Sequence, residues 1–261
     1  MNIIVCIKQV PASTEIKIDP ETGTLMREGT LSTVNPFDRY AIEEALRLKE
    51  TYGGKVTVLS MGPPQAEYAL KFAISMGCEH AVLLSDKTFA GADTLATSFT
   101  LACGIRKIGS FDIIICGVKT VDGDTAQVGP GLAEELEISN VCYVRKILKV
   151  NNGGVLVERM VDGGYETVNA LLPCLMTISK ETNEPRFPTL QGKIFSLNTG
   201  IKIWNSNDLN GHSGRYGLNG SPTQVIKVFP PRKRKKGTIL TGTLSDKTKK
   251  LVEKLGELKL V

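Results

Sequence analysis

The sequence lacks a paired metal-ligand spacing, a phosphate-binding glycine signature and any apolar run long enough to cross a bilayer. Its six cysteines, Cys6, Cys78, Cys103, Cys116, Cys142 and Cys174, form no CxxC pair, and the two histidines, His80 and His212, stand far apart. That spacing argues against a metal site. Several cysteines lie inside apolar runs, as small buried hydrophobes do in a reducing compartment. No stretch approaches the ~20 apolar residues that span a membrane. Met1 leads straight into a strand-like run with no basic start or small-residue cleavage site, so no signal peptide is expected and the cytoplasm is the predicted compartment. The formal charge of +5 is mild for 261 residues, and much of the excess sits in one run, PRKRKK at 231–236. Nucleic-acid binders spread Lys and Arg along a face with aromatics between them. This run reads instead as a solvated segment, so no nucleic acid is expected as partner.

What remains is an ordinary globular composition, 41% hydrophobic and 23% charged, enough for one large domain with an appendage. The first two-thirds alternate strand and helix signals. NIIVCI (2–7) is a continuous apolar run, as in a strand buried on both faces. NPFDRYAIEEALRLKE (35–50) places apolar residues at helical spacing and stops before Gly53 and Gly54. KVTVLSMG (55–62) predicts a strand, 66–76 a helix closed by Gly77, AVLLSD (81–86) a strand, 93–107 a helix and FDIIICG (111–117) a fourth strand. A further helix is predicted from Leu132. This alternation predicts an α/β fold with an open, doubly wound, mainly parallel sheet of Rossmann-like type. The run KILKVNNGGVLVERMVDGGYETVNALLPCLMTIS, broken at Asn-Gly-Gly and Asp-Gly-Gly, predicts a β-hairpin extension. From Glu181 no helix signal is read until Ser245, the expected N-cap of DKTKKLVEKLGELKL, whose stripe is Leu251, Leu255 and Leu258. One short helix cannot bury that stripe alone. The chain therefore divides into an α/β domain at 1–192 and an arm at 193–261. The arm packs on its own domain, on another subunit, or back onto this sheet.

In open α/β sheets ligands bind beyond the carboxyl ends of the strands. Four loops leave such ends here: KQVPAS, MGPP, DKTFAGADTLATS and VKTVDGDTAQVG. They supply backbone N–H groups, hydroxyls and a few charges, which suits a phosphate and a polar base. Thr94 and Thr97 lie near a helix start, where an anion is favoured. Asp93 reads equally as that helix's N-cap or as a ligand contact. The segment VDGDTAQVGP poses the central question, with Asp122 and Asp124 flanking Gly123. The EF-hand oxygen spacing is absent, and an acid–base pair would want a reacting group beside it. A nucleotide cradle needs neither, and Gly117, Gly123 and Gly129 permit tight turns. Neither GxGxxG nor GxxxxGK[ST] occurs, so spacing alone leaves the ligand open.

Several segments, taken in order, resemble the beta (small) subunit of electron-transfer flavoproteins: IVCIKQVP, NPFDRYAIEEALRLKE, SMGPPQA with AISMGCEHAVLLSD, CGVKTVDGDTAQVGP and SKETNEPRFPTLQGK. The resemblance implies a heterodimer with an alpha subunit that carries a shuttling FAD in a mobile domain, the beta subunit holding AMP or a second FAD. It places cofactor-binding positions at Cys6, at Asn35, Pro36, Phe37 and Asp38, at Met61, and at Gly117, Val118, Lys119, Thr120, Val121, Asp122, Gly123, Asp124, Thr125, Ala126, Gln127 and Val128. NPFD also reads as a plain turn and helix start with Pro36 at the first position.

The AMP-binding branch looks like D-D-D-x-N-Q-T-G-Q in the same loop. DGDTAQVGP together with GADTLATS resembles the electron-bifurcating branch instead, which adds Asp93, Thr94 and Thr97 to the site. That likeness implies NADH as hydride donor to a second FAD. Ferredoxin or flavodoxin is then one acceptor, and a flavin-dependent dehydrogenase of acyl-CoA or 2-hydroxy-acid type the other, reached through the alpha-subunit FAD. A simple carrier with AMP is the alternative, and an adenine-nucleotide-binding regulatory protein without a redox role is the alternative of another class. NEPRFPTLQGK (183–193) resembles the family's partner-recognition loop with Leu190 as its anchor, though a core leucine under a surface loop fits the same residue. Beyond it the likeness weakens, because IFSLNTGIKIW replaces a Lys-rich segment. It returns at GSPTQVIKVFPP (220–231), which resembles the arm of bifurcating members.

Overall fold

The computed structural model describes residues 1–12, 32–151, 153–226 and 237–260. The basic run at 231–236 lies outside them. The elements run in chain order β1 (Asn2–Cys6), β2 (Gln9–Pro11), β3 (Ser32–Val34), α1 (Pro36–Tyr52), β4 (Lys55–Met61), α2 (Glu67–Met76), β5 (His80–Leu84), α3 (Thr94–Ile108), β6 (Ile113–Gly117), α4 (Val128–Leu136), β7 (Ser139–Asn151), β8 (Gly154–Val161), β9 (Gly164–Leu171), β10 (Cys174–Ile178), α5 (Leu190–Asn198), β11 (Lys202–Trp204) and α6 (Leu244–Glu257).

Nine strands form one sheet in the order β11-β5-β4-β1-β6-β10-β7-β8-β9. From β11 to β7 all pairings are parallel, and only β7–β8 and β8–β9 are antiparallel. The doubly wound reading holds, and so does the hairpin extension. Strands β1, β4, β5 and β6 have helices over both faces, which is why their sequences are near-continuous Ile, Val and Leu. Alternate residues serve two cores. Ile3, Val5, Val56, Val58, Ile113 and Ile115 pack with Ile42, Leu46 and Leu70 of α1 and α2. Ile4, Cys6, Leu59, Ile114 and Cys116 pack with Phe99, Ala102 and Ile105 of α3 and Leu132 of α4. Each Ile or Val fully removed from water contributes about 1.5–3 kcal/mol.

The chain turns from one side of β1 to the other between β5 and β6. β4 and β5 are added on one side, then α3 crosses the opposite face to place β6 on the other. The carboxyl ends of β1 and β6 therefore flank the topological switch point, where open sheets hold ligands.

Four expectations need correction. The helix predicted from Leu132 begins at Val128, so the end of the quoted loop is already its first turn. A helix, α5, occupies 190–198, where none was read. Its sequence LQGKIFSLN has little apolar periodicity, and what fixes it is packing on α2 together with Thr189, whose side chain accepts from Gly192 N. The boundary expected at Lys193 falls inside the larger compact unit, Met1–Ile226, which is followed by a second unit, Lys227–Val261. β11 is one of the two edge strands of the sheet, and Tyr216 lies 5.1 Å from Phe89 and 5.4 Å from Phe99, ring centroid to centroid. In the second unit, Thr243 rather than Ser245 caps α6. Thr243 accepts from Asp246 N, and the Asp246 carboxylate accepts from Thr243 N, so the Thr-x-x-Asp box outcompetes the serine.

These contacts give a test of the redrawn boundary. Tyr216→Ala should cost about 3–5 kcal/mol of unfolding free energy, as large aromatic truncations in a core do. Leu190→Ala, at a residue 78% exposed, should stay within about 0.5 kcal/mol. Denaturant unfolding of the two variants shows whether the segment carrying Tyr216 is part of the body or a loose arm.

Candidate functional site

The site is built at the switch point from groups that the chain spreads over more than a hundred residues. Cys6 ends β1, Met61 ends β4 and Gly117 ends β6. Cys6 and Cys116 are paired neighbours across the parallel β1–β6 ladder, and both face the α3–α4 side with Met61 packed beside them. They form an apolar floor. Above it lie the first turns of α3 and α4, joined where Thr94 Oγ1 donates to Gln127 Oε1 at 3.1 Å. No side chain caps the first turn of α4, and Pro130 occupies a position in that turn where no N–H is required. Backbone donors and the positive end of the helix dipole are thus left free at the carboxyl edge of the sheet. Gly129 is needed for this approach, since a Cβ there would lie 2.5 Å from Thr177 Cγ2.

The loop between β6 and α4 is held open by ion pairs and an unusual backbone. Lys8 Nζ bridges both oxygens of Asp122 at 2.8 and 2.7 Å, and Lys119 Nζ meets Asp124 at 2.7 Å. Asp124 and Ala126 adopt left-handed φ of 51° and 55°, costing about 1–3 kcal/mol each, the kind of strain that collects at ligand sites. Asp124 N donates to Thr120 O and Gly123 N to Thr120 Oγ1, closing a tight turn. Thr125 and Gln127 are exposed on this loop, and Val118 is buried beneath it.

Beneath the loop sits a buried polar pair at the start of α1. Asp38 Oδ2 accepts from Lys8 N at 2.6 Å, and Asp38 Oδ1 accepts from Asn35 Nδ2 at 2.8 Å. Asn35 Nδ2 also donates to Lys119 O at 2.9 Å, and Asn35 Oδ1 accepts from Val121 N at 3.2 Å. Asn35 stands at the N-cap position of α1, yet its side chain makes no cap. It is turned inward to clamp the β6–α4 loop. Pro36 and Phe37 lie at the rim, with Lys119 Nζ 5.7 Å from the Phe37 ring centroid. Burial pushes the Asp38 carboxyl up to about 7 despite hydrogen bonds from Asn35, Lys8 and Gly117. Gly117 must be glycine here, because a Cβ would sit 2.4 Å from Asp38 Oδ1.

The structure thus gathers Cys6, Asn35 to Asp38, Met61, Thr94, Thr97 and the 117–128 segment at one edge. Asp93 caps α3, accepting from Leu95 N and Ala96 N at 3.0 and 3.1 Å. Leu190 stands apart as the first residue of α5, over α2 on the opposite face of the sheet, and is not a core leucine. Sequence reading missed Lys8 as the partner of Asp122, although KQVP was among the loops named. It also missed Ser221 and Thr223, which reach Asp93 across 128 and 130 residues. No local pattern signals such distant partners. Among the described residues no group of three or more His, Cys, Asp or Glu is placed to hold a metal ion, and no helix is long and apolar enough to cross a membrane.

The electron transfer flavoprotein domain model matches residues 22–198. An electron transfer flavoprotein subunit beta of Thermoanaerobacterium thermosaccharolyticum is 47% identical over 256 residues, covering 98% of both chains. The chain belongs to the electron transfer flavoprotein family, as a beta-type subunit. This beta subunit is also 45% identical over 259 residues to the caffeyl-CoA reductase-Etf complex subunit CarD of Acetobacterium woodii, covering 98% of each. Protein FixA of Azorhizobium caulinodans is 45% identical over 241 residues, 90% of this chain and 86% of that one.

The buried carboxyl predicts a pH dependence. A carboxyl raised in the folded state adds stability below its unfolded value near 4, and that contribution is lost as pH rises through about 7. Asp38→Asn removes this slope, so the stability of the variant relative to the parent should improve between pH 4 and 7. Urea unfolding across that range reads it, and parallel curves would exclude Asp38 as the titrating group.

Proposed function

We propose that the slot at the β1–β6 switch point holds an FAD and that the chain serves an NADH-dependent, electron-bifurcating flavoprotein. The supporting observation is the pairing of two helix starts over one apolar floor. The first turn of α4 offers backbone donors to one phosphate. The first turn of α3, with Thr94 and Thr97, supplies hydroxyls beside it, which a mononucleotide alone would not need. Cys6 and Met61 give an apolar surface for a ring, and Lys8 and Lys119 keep Asp122 and Asp124 from repelling an anion. When bound, FAD supplies the two-electron acceptor for hydride from NADH and single-electron delivery to ferredoxin or flavodoxin and, through an alpha-subunit FAD, to a dehydrogenase. The chain's own residues contribute binding, orientation and shielding. The caffeyl-CoA reductase complex named for the relative CarD supports a flavin dehydrogenase as partner.

The partner-recognition reading has a second support. Residues 183–188 are strapped to α1, with Arg186 Nε donating to Glu43 at 2.8 Å and Asn183 Nδ2 to Glu44 at 2.9 Å. This rigid strap presents Phe187 and Leu190 to solvent, followed by Ile194 and Leu197 on α5, all exposed. A pre-ordered apolar patch of this kind binds without first losing loop entropy. The apolar stripe of α6, no residue of which is buried, is assigned to the alpha subunit.

Two outcomes follow. Flavin and adenine analysis of the purified alpha–beta complex should give two FAD per heterodimer, and Gly129→Val should remove one of them while sparing the other. One FAD plus AMP in the parent complex returns the reading to the simple carrier, and a nucleotide with no flavin at all returns it to the regulatory protein. Separately, Leu190→Ala should slow electron delivery to the dehydrogenase by about tenfold, as loss of an interface anchor does, with NADH-driven flavin reduction unchanged. Stopped-flow measurement of both steps on one preparation decides it.

A further inference from the structure

The Asp93 carboxylate is divided between two tasks. Its Oδ1 accepts from Leu95 N and Ala96 N and so caps α3. Its Oδ2 accepts from Thr223 N at 3.1 Å and Thr223 Oγ1 at 2.9 Å. Asp93 N in turn donates to Ser221 Oγ at 2.8 Å, and that hydroxyl donates to Gly217 O at 2.7 Å. Upstream the same segment is stitched to the loop before α3, with Leu218 N donating to Ala90 O at 3.0 Å. Gly217 has φ 52°, and a Cβ there would lie 2.1 Å from Thr88 O. The strap therefore runs along 88–93 and ends on the helix cap. The next residue, Thr94, joins α3 to the first turn of α4 through Gln127. Past Thr223 the chain is released. Val225 and Ile226 are 84% and 97% exposed, and the larger unit ends at Ile226.

We propose that Asp93 is a positioning residue that does not touch the cofactor but pins the 220–224 strap to the rim of the nucleotide slot, so that attachment of the segment leading to the C-terminal unit and occupancy of the slot favour one another. Four donors within the chain occupy the two Asp93 oxygens, which leaves its carboxylate without a lone pair for a ligand. The inference rests on the reading that the slot binds a nucleotide. Its physical basis is linkage: a ligand that orders the first turn of α3 strengthens the strap hydrogen bonds on the same carboxylate, and the strap must then strengthen the ligand by the same factor.

Asp93→Asn separates the two tasks. Asparagine caps a helix as well as aspartate does, but its amide nitrogen cannot accept from Thr223. Thr223→Val removes the hydroxyl from the other side and leaves the cap untouched. The experiment is hydrogen–deuterium exchange and titration of the full-length chain with FAD and with AMP. In the parent chain either nucleotide should slow exchange across 220–226. In both variants exchange there should rise about tenfold and nucleotide affinity should fall about tenfold, the scale of one lost charge-assisted hydrogen bond. Leu95 and Ala96 should stay protected, showing that α3 is still capped. Unchanged affinity in both variants, with the parent binding normally, overturns the coupling alone. Failure of the parent chain to bind FAD or AMP overturns the proposed function and the coupling with it.

Discussion

The buried Asn35–Asp38 pair is the interaction on which the carboxyl edge of the sheet depends. Two side chains at the start of α1 hold the end of β1 through Lys8 N and the β6–α4 loop through Lys119 O and Val121 N. Without them two loops leaving adjacent strands would have no common reference. The cost is a carboxylate in a dry place, and burial drives its proton affinity toward neutrality. Such a group persists because its oxygens are matched by donors; a half-satisfied network would be worse than an apolar one. Gly117 belongs to the same device, because only a residue without a side chain lets β6 end beside Asp38.

Around that fixed point the doubly wound topology does the rest. Parallel strands place every carboxyl end at one edge, and the reversal of winding between β5 and β6 opens a gap there that no crossover helix covers. α3 and α4 then deliver two helix starts to the same gap. The segment at 215–223 reinforces one of them. Arg215 stacks 3.9 Å over Phe99 and pairs with Glu135 of α4, so the two helices are tied together away from the site as well as at it.

What the sequence made legible follows from the range of each interaction. NIIVC, KVTVLSM and IIICG are strands buried on both faces, so composition alone marks them. The 121–130 loop is marked by its glycines and carboxylates. β10 was not separable, because ALLPCLMTIS reads like one more hairpin arm, and only the sheet inserts it in parallel between β6 and β7. β2 and β3 are three residues each and, among the described residues, pair with one another, too short for any periodicity. α5 is hidden by weak amphipathicity and by the prolines before it, and contact with α2 decides it. Thr243 displaced Ser245 because a reciprocal box outweighs a single hydroxyl. Asn35 and Asp38 were flagged through resemblance, but their work as a clamp is tertiary and has no local signature.

The two carboxylates of DGD are best understood through their charges. An acid–base pair keeps one carboxyl protonated near neutral pH, which requires a raised proton affinity. Asp122 shows the opposite. Burial raises it, but the hydrogen bond and charge of Lys8 outweigh that and hold it below the ordinary carboxylate range. Asp124 is paired with Lys119 at 2.7 Å. Each acid is therefore neutralised by a lysine drawn from a neighbouring segment, and the pairs act as struts that hold the loop in its strained, left-handed turns. With these two carboxylates paired, the start of α4, which no side chain caps, is left to favour an anion such as phosphate. The paired acids are thus structural, and they keep the loop in register with the strands beneath.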